Sequence, residues 1–154
     1  MRKKVDTTPY QNRPRASSIC RTPAALGKFV ISAISQHPER HVWWLRGPLG
    51  SGKTTSTRAV ARWLGIPGVV TSPTYTLRRA YRLVKQPWKQ LVHVDAYRIK
   101  DQNEYRGLGL EEDVADEKNL VLVEWPELLP GFDWPPHGEI VIDIVPGGRR
   151  VTLR

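Results

Sequence analysis

Residues 41–55 read HVWWLRGPLGSGKTT, and this stretch decides the fold. A short, mostly apolar run at 41–46 ends at Gly47, and Gly47, Gly52, Lys53 and Thr54 satisfy the spacing G-x-x-x-x-G-K-[ST]. After Gly52 the pattern changes to Thr57, Val60, Ala61 and Leu64, one face of a helix closed by Gly65. Strand, glycine loop and helix follow one another. In such a loop the backbone N–H groups and the N-terminus of the next helix surround phosphate oxygens. Gly47, Leu49, Gly50, Ser51, Gly52, Lys53, Thr54 and Thr55 are therefore the candidate nucleotide-binding residues, for ATP or GTP. Lys53 offers a point charge to the β and γ phosphates, and the Thr54 hydroxyl is a hard oxygen suited to Mg²⁺.

Outward from the loop, Thr22 followed by Pro23 is an N-cap with proline at the first helical position. Leu26, Phe29, Val30 and Ala33 then recur at helical spacing, which predicts a helix over about 22–35. Apolar, β-rich runs at 91–94, 120–123, 140–145 and 151–153 read as sheet strands, and 76–84 as a less regular one. Residues 103–114, with Gly107 and Gly109 inside, form a short helical or looped connection. The expected fold is α/β, a three-layer P-loop NTPase domain with a mixed, partly parallel central sheet.

The bulk numbers agree with one such domain. The chain has 154 residues, 40% hydrophobic and 25% charged, close to globular averages, so global disorder is not expected. Its net charge of +9 favours an anionic partner. Residues 1–18 read as a basic arm, with Arg2, Lys3, Lys4, Arg13 and Arg15 against Asp6; the compact domain is expected over 19–154. The single cysteine, Cys20, forms no intramolecular disulfide and reads as a small buried hydrophobe, which fits a reducing compartment. No run of about 18 apolar residues and no apolar secretory core is visible, so the expected location is cytoplasmic, with no membrane partner.

A P-loop also needs a carboxylate opposite Thr54, usually at the carboxyl end of a neighbouring strand. Asp95 ends LVHVD and Glu124 ends LVLVE, and each has the form of a buried strand that delivers an acid to the sheet edge. Trp125 and Pro126, which follow Glu124, either wall the site or finish the strand. SPTYT at 72–76 is a polar loop or a segment that brings a hydroxyl near the γ-phosphate.

Together, GPLGSGKTT, SPTYTL at 72–77, HVDAYRI at 93–99, LGLEE at 108–112 and VEWPE at 123–127 resemble, in order and spacing, the bacterial TsaE (YjeE) family. This is the small ATPase of tRNA threonylcarbamoyladenosine synthesis. The resemblance runs from about Thr22 onward. It implies that Lys53 and Thr54 bind the phosphates of ATP and Mg²⁺, that Glu124 serves the metal or the attacking water, and that Asp95 assists. It also implies switch-like roles for Thr74 and Thr76 and a place for Trp125 beside the nucleotide. TsaD and TsaB family proteins and tRNA are the implied partners, with no DNA expected. The chain departs from the family at Pro48, where an acid is usual, and at Arg78, Arg79 and Arg82, where acids are common; it also stops soon after the last strand. Two other functions share a P-loop or a basic surface: a small-molecule kinase, for which no acceptor-binding segment is visible, and a nucleotide-regulated RNA-binding module.

Overall fold

The computed structural model describes residues 16–68, 77–129 and 131–154. Thr74 and Thr76, and residues 1–15 of the arm, lie outside them. Among the described residues, seven strands form one sheet in the order β1-β7-β6-β2-β5-β4-β3: β1 (Ala16–Cys20), β2 (Val42–Arg46), β3 (Arg78–Arg82), β4 (Gln90–Asp95), β5 (Asn119–Glu124), β6 (Gly138–Val145) and β7 (Gly148–Leu153). The central strands β6, β2, β5 and β4 are mutually parallel, whereas β3, β7 and β1 join antiparallel. The mixed sheet expected from the sequence is the one observed.

Strand alternation sends the two sides of this sheet into separate cores. Trp43 and Leu45 of β2, Leu91 of β4, and Leu120 and Leu122 of β5 pack under α1 (Pro23–Gln36) and α2 (Lys53–Trp63). Val42, Val92, Val94, Val121 and Val123 face the other way, under α3 (Gln102–Arg106) and α4 (Leu110–Ala115). Residues 103–114, expected as one connection, thus contain two short helices, separated at Gly109, whose φ of 73° is left-handed. The start of α1 is as its sequence predicts: the Thr22 hydroxyl accepts the Ala25 N–H at 3.1 Å and Pro23 opens the first turn. Among the described residues no helix is long and apolar enough to cross a membrane.

β1 was not expected. It begins at Ala16, so residues 16–18, read as the end of the arm, are an edge strand paired with β7. Only Cys20 of its five residues is buried, so there is no apolar alternation to betray it.

One close approach in the core carries a prediction. Gly138 of β6 pairs with Trp43 of β2, and a β-carbon on Gly138 would stand 2.4 Å from the buried indole. Overpacking of this kind costs about 1–3 kcal/mol. Gly138→Ala is expected to lower the thermal midpoint by roughly 2–12 °C, read in a melt followed by far-UV circular dichroism.

Candidate nucleotide-binding site

The carboxyl ends of the three parallel strands β2, β5 and β4 meet at one edge of the sheet. Leu45 pairs with Glu124 and Asp95 pairs with Glu124, so the loop after β2 and both strand-end acids are brought side by side by register alone. This is the place where open α/β sheets bind ligands. Leu49, Gly50, Gly52, Lys53, Thr54, Thr55, Asp95, Glu124 and Trp125 line a cleft of about 350 Å³ there, together with Tyr97 and Arg98. Nearly all the residues read from the sequence as candidates are thus gathered in one place. Gly47 and Ser51 belong to the same loop, and Ser51 is wholly buried.

Gly52 is the N-cap of α2 with φ 111°, a conformation that side chains rarely adopt, and a β-carbon there would lie 2.6 Å from Leu26 Cδ2. The neighbour that forbids a side chain is therefore helix α1. The Lys53 ammonium donates to the carbonyls of Gly47 (2.7 Å) and Pro48 (2.9 Å) and lies 3.9 Å from the centre of the Trp125 ring. Burial lowers the Lys53 pKa, and Glu124, Glu127 and Asp95 oppose that shift by Coulomb attraction. Pro48 supplies its carbonyl twice, to Lys53 and to the Ser51 N–H at 3.1 Å.

Glu124 is buried, and both of its carboxylate oxygens have partners. Oε2 accepts the Thr54 hydroxyl at 3.0 Å, while Oε1 meets His93 Nε2 at 2.7 Å and the Thr57 hydroxyl at 3.3 Å. Asp95 is partly exposed at the mouth of the cleft, and its Oδ1 accepts the Tyr97 N–H at 3.1 Å, which caps the short 3-10 turn Ala96–Arg98. Trp125 has left-handed backbone angles, φ 59° and ψ 49°. An aromatic residue held there stores strain, and the turn it makes sets the indole under Lys53 and 4.9 Å from the Tyr97 ring. Trp125 both walls the cleft and ends the strand.

A hydroxyl and a carboxylate within 3.0 Å, with a second carboxylate in the adjoining strand, form an all-oxygen donor set. That suits Mg²⁺, which keeps several waters and needs only one or two protein oxygens beside phosphate. Among the described residues no group of three or more His, Cys, Asp or Glu side chains is arranged to hold a metal by itself. A wider cleft of about 530 Å³, lined by Tyr105, Phe132 and Trp134, belongs to the opposite layer, away from the glycine loop.

Three partners escaped the sequence reading. His93 and Thr57 share the face of their elements with Asp95 and Thr54, a signal present in the period of two along LVHVD and in the i, i+3 spacing on α2. Arg149 had no local signal. From β7 its guanidinium donates to the carbonyls of Gly50 and Ser51, both at 3.0 Å, and so ties the loop to the far side of the sheet. Arg149→Met is expected to speed amide hydrogen exchange over residues 49–52 by about 10-fold or more, since bonds from a charged donor are lost. Unchanged exchange there would contradict the clamp.

A sequence profile of the family described as "Threonylcarbamoyl adenosine biosynthesis protein TsaE" matches residues 20–151. The chain belongs to the TsaE family. The tRNA threonylcarbamoyladenosine biosynthesis protein TsaE of Haemophilus influenzae is 35% identical over 118 residues, which cover 76% of this chain and 71% of that one. The Bacillus subtilis TsaE is 42% identical over 85 residues, 55% of this chain and 50% of its own, so this match spans about half of each protein. A crystal structure of Bacillus subtilis YdiB superposes with a TM-score of 0.68 at 26% identity, covering 90% of this chain and 83% of that chain. The α/β fold and the TsaE membership expected from the motifs are both established.

Proposed function

We propose that this TsaE-family chain binds and slowly hydrolyses ATP in support of tRNA threonylcarbamoyladenosine formation, acting with TsaD and TsaB family proteins on tRNA. The observation that carries the ATPase reading is the contact of Thr54 with Glu124 at 3.0 Å, beside the buried ammonium of Lys53. It joins the hydroxyl that follows the loop lysine to a strand-end acid, the pairing that P-loop NTPases use around the metal.

In this reading the loop amides and Lys53 bind the β and γ phosphates and hold the γ-phosphorus in line for attack. Bound Mg²⁺ would be held by Thr54 and Glu124 and would neutralise charge on the β and γ oxygens. Asp95, nearer the solvent, orients the attacking water and takes up its proton as the bond from the γ-phosphorus to the bridging oxygen breaks. Trp125 keeps Lys53 in place from below. The tRNA role rests on family membership and on the names of the relatives.

A site completed by partners turns over slowly by itself. Phosphate release from ATP is expected to be well below the typical range of about 1–100 s⁻¹ for kinases, and to rise when TsaD and TsaB proteins are added. Brisk turnover by the isolated protein, indifferent to those proteins, would contradict the proposal.

A further inference from the structure

The two oxygens of Glu124 are not equivalent. Oε1 is turned into the protein, against His93 Nε2 and the Thr57 hydroxyl, while Oε2 is turned to Thr54 and the cleft. The terminal torsion of a glutamate is broad and nearly two-fold, so nothing in the side chain itself selects this orientation. A donor fixed on one oxygen does.

His93 is wholly buried in the middle of β4, on the face whose neighbours Leu91, Leu120 and Leu122 belong to the apolar core. Because an ionised carboxylate only accepts, Nε2 carries the proton of the contact. Nδ1 is then left buried with no hydrogen-bond partner, a cost to folding that a leucine would avoid. A histidine that costs the core a buried polar atom, yet contacts the acid that accepts the Thr54 hydroxyl, is explained by what it does to that acid.

We propose that His93 is a positioning residue. Its Nε2–H, helped by Thr57, holds Oε1 of Glu124 inside the protein and so presents Oε2, beside the Thr54 hydroxyl, to the metal of a Mg²⁺–nucleotide. The inference rests on the ATP-site reading above and deepens it; His93 itself touches neither phosphate nor metal.

The test is calorimetric titration of a non-hydrolysable ATP analogue, in Mg²⁺ and again in EDTA, with wild type, His93→Leu, His93→Gln, Glu124→Gln and the His93→Leu/Glu124→Gln double variant. The partners that orient a metal ligand typically contribute 10–100-fold. His93→Leu is expected to lose about 10-fold or more of the gain in affinity that Mg²⁺ provides, with the affinity in EDTA unchanged. His93→Gln, whose amide N–H reaches the same point, should recover most of that gain. In the Glu124→Gln background His93→Leu should cause no further loss.

A full Mg²⁺ gain in His93→Leu, an equal loss in EDTA, or a loss that persists in the Glu124→Gln background would each overturn the inference. The last two are what a merely structural histidine would give. If His93→Leu does not fold, His93→Asn, too short to reach Oε1, takes its place and is judged against His93→Gln in the same way. A wild type that binds no nucleotide in either buffer overturns the ATP-site reading, and the inference with it; wild-type binding with an unaffected His93→Leu overturns the inference alone.

Discussion

Replacing Lys53 with alanine is expected to weaken ATP binding by about 100-fold or more, the scale of losing charge-assisted hydrogen bonds to phosphate. The expectation follows from how the ammonium is held. It is nearly buried, bonded to the Gly47 and Pro48 carbonyls and set over the Trp125 face, so the protein has already desolvated and oriented the charge. A polyphosphate entering the cleft meets a preorganised cation. The fold should tolerate the change, because alanine also removes a charge that burial disfavours. A melt close to wild type, with binding lost in calorimetry, is the expected pair of results. The lowered pKa adds a second readout. Lys53 gives up its proton before an ordinary lysine as pH rises, so ATP affinity should fall early in the alkaline range, and Lys53→Ala should lose that pH dependence. Binding by Lys53→Ala at wild-type strength would place the nucleotide elsewhere.

Glu124→Gln is expected to lower the rate of ATP hydrolysis by about 100-fold or more while leaving metal-free nucleotide binding intact. The substitution keeps the shape of a side chain that is 2% exposed and contacts His93, Thr57 and Thr54. Its amide oxygen still accepts from His93, and its amide N–H₂ turns to Thr54, whose hydroxyl accepts as well as donates. Removal of the charge is therefore separated from removal of the packing. Glu124→Ala removes both and takes the acceptor from the buried His93 ring N–H, so it should lower the melting midpoint as well as the rate. Single-turnover phosphate release for the two variants, each beside its thermal melt, distinguishes a loss of chemistry from a loss of fold.

The strand, loop and helix over 41–64 are legible because glycine spacing, apolar run and helical period all occur within one continuous stretch. Asp95 and Glu124 are legible as acids that end apolar strands, and parallel register with β2 is what makes them neighbours. That adjacency is long-range, and no local pattern states it. The same limit hides Arg149, whose partners Gly50 and Ser51 are almost a hundred residues away. β1 escaped for the opposite reason: an edge strand with one buried residue has nothing apolar to repeat. The arginines of β3 show a further limit. Arg78, read as part of a basic segment, forms a two-pronged pair with buried Asp113 of α4, which raises its pKa, so this arginine ties β3 to the opposite layer. For Trp125 the sequence left two roles open, and its left-handed backbone reconciles them, since the turn that ends β5 also aims the ring at Lys53.

The most direct test of the central claim is the amount of threonylcarbamoyladenosine formed over many turnovers by TsaD and TsaB proteins on tRNA with ATP present, measured without this chain, with wild type and with Glu124→Gln. Sustained formation that requires the wild-type chain and falls to the level of its omission with Glu124→Gln is the predicted result. Formation that proceeds equally in all three reactions would contradict the account.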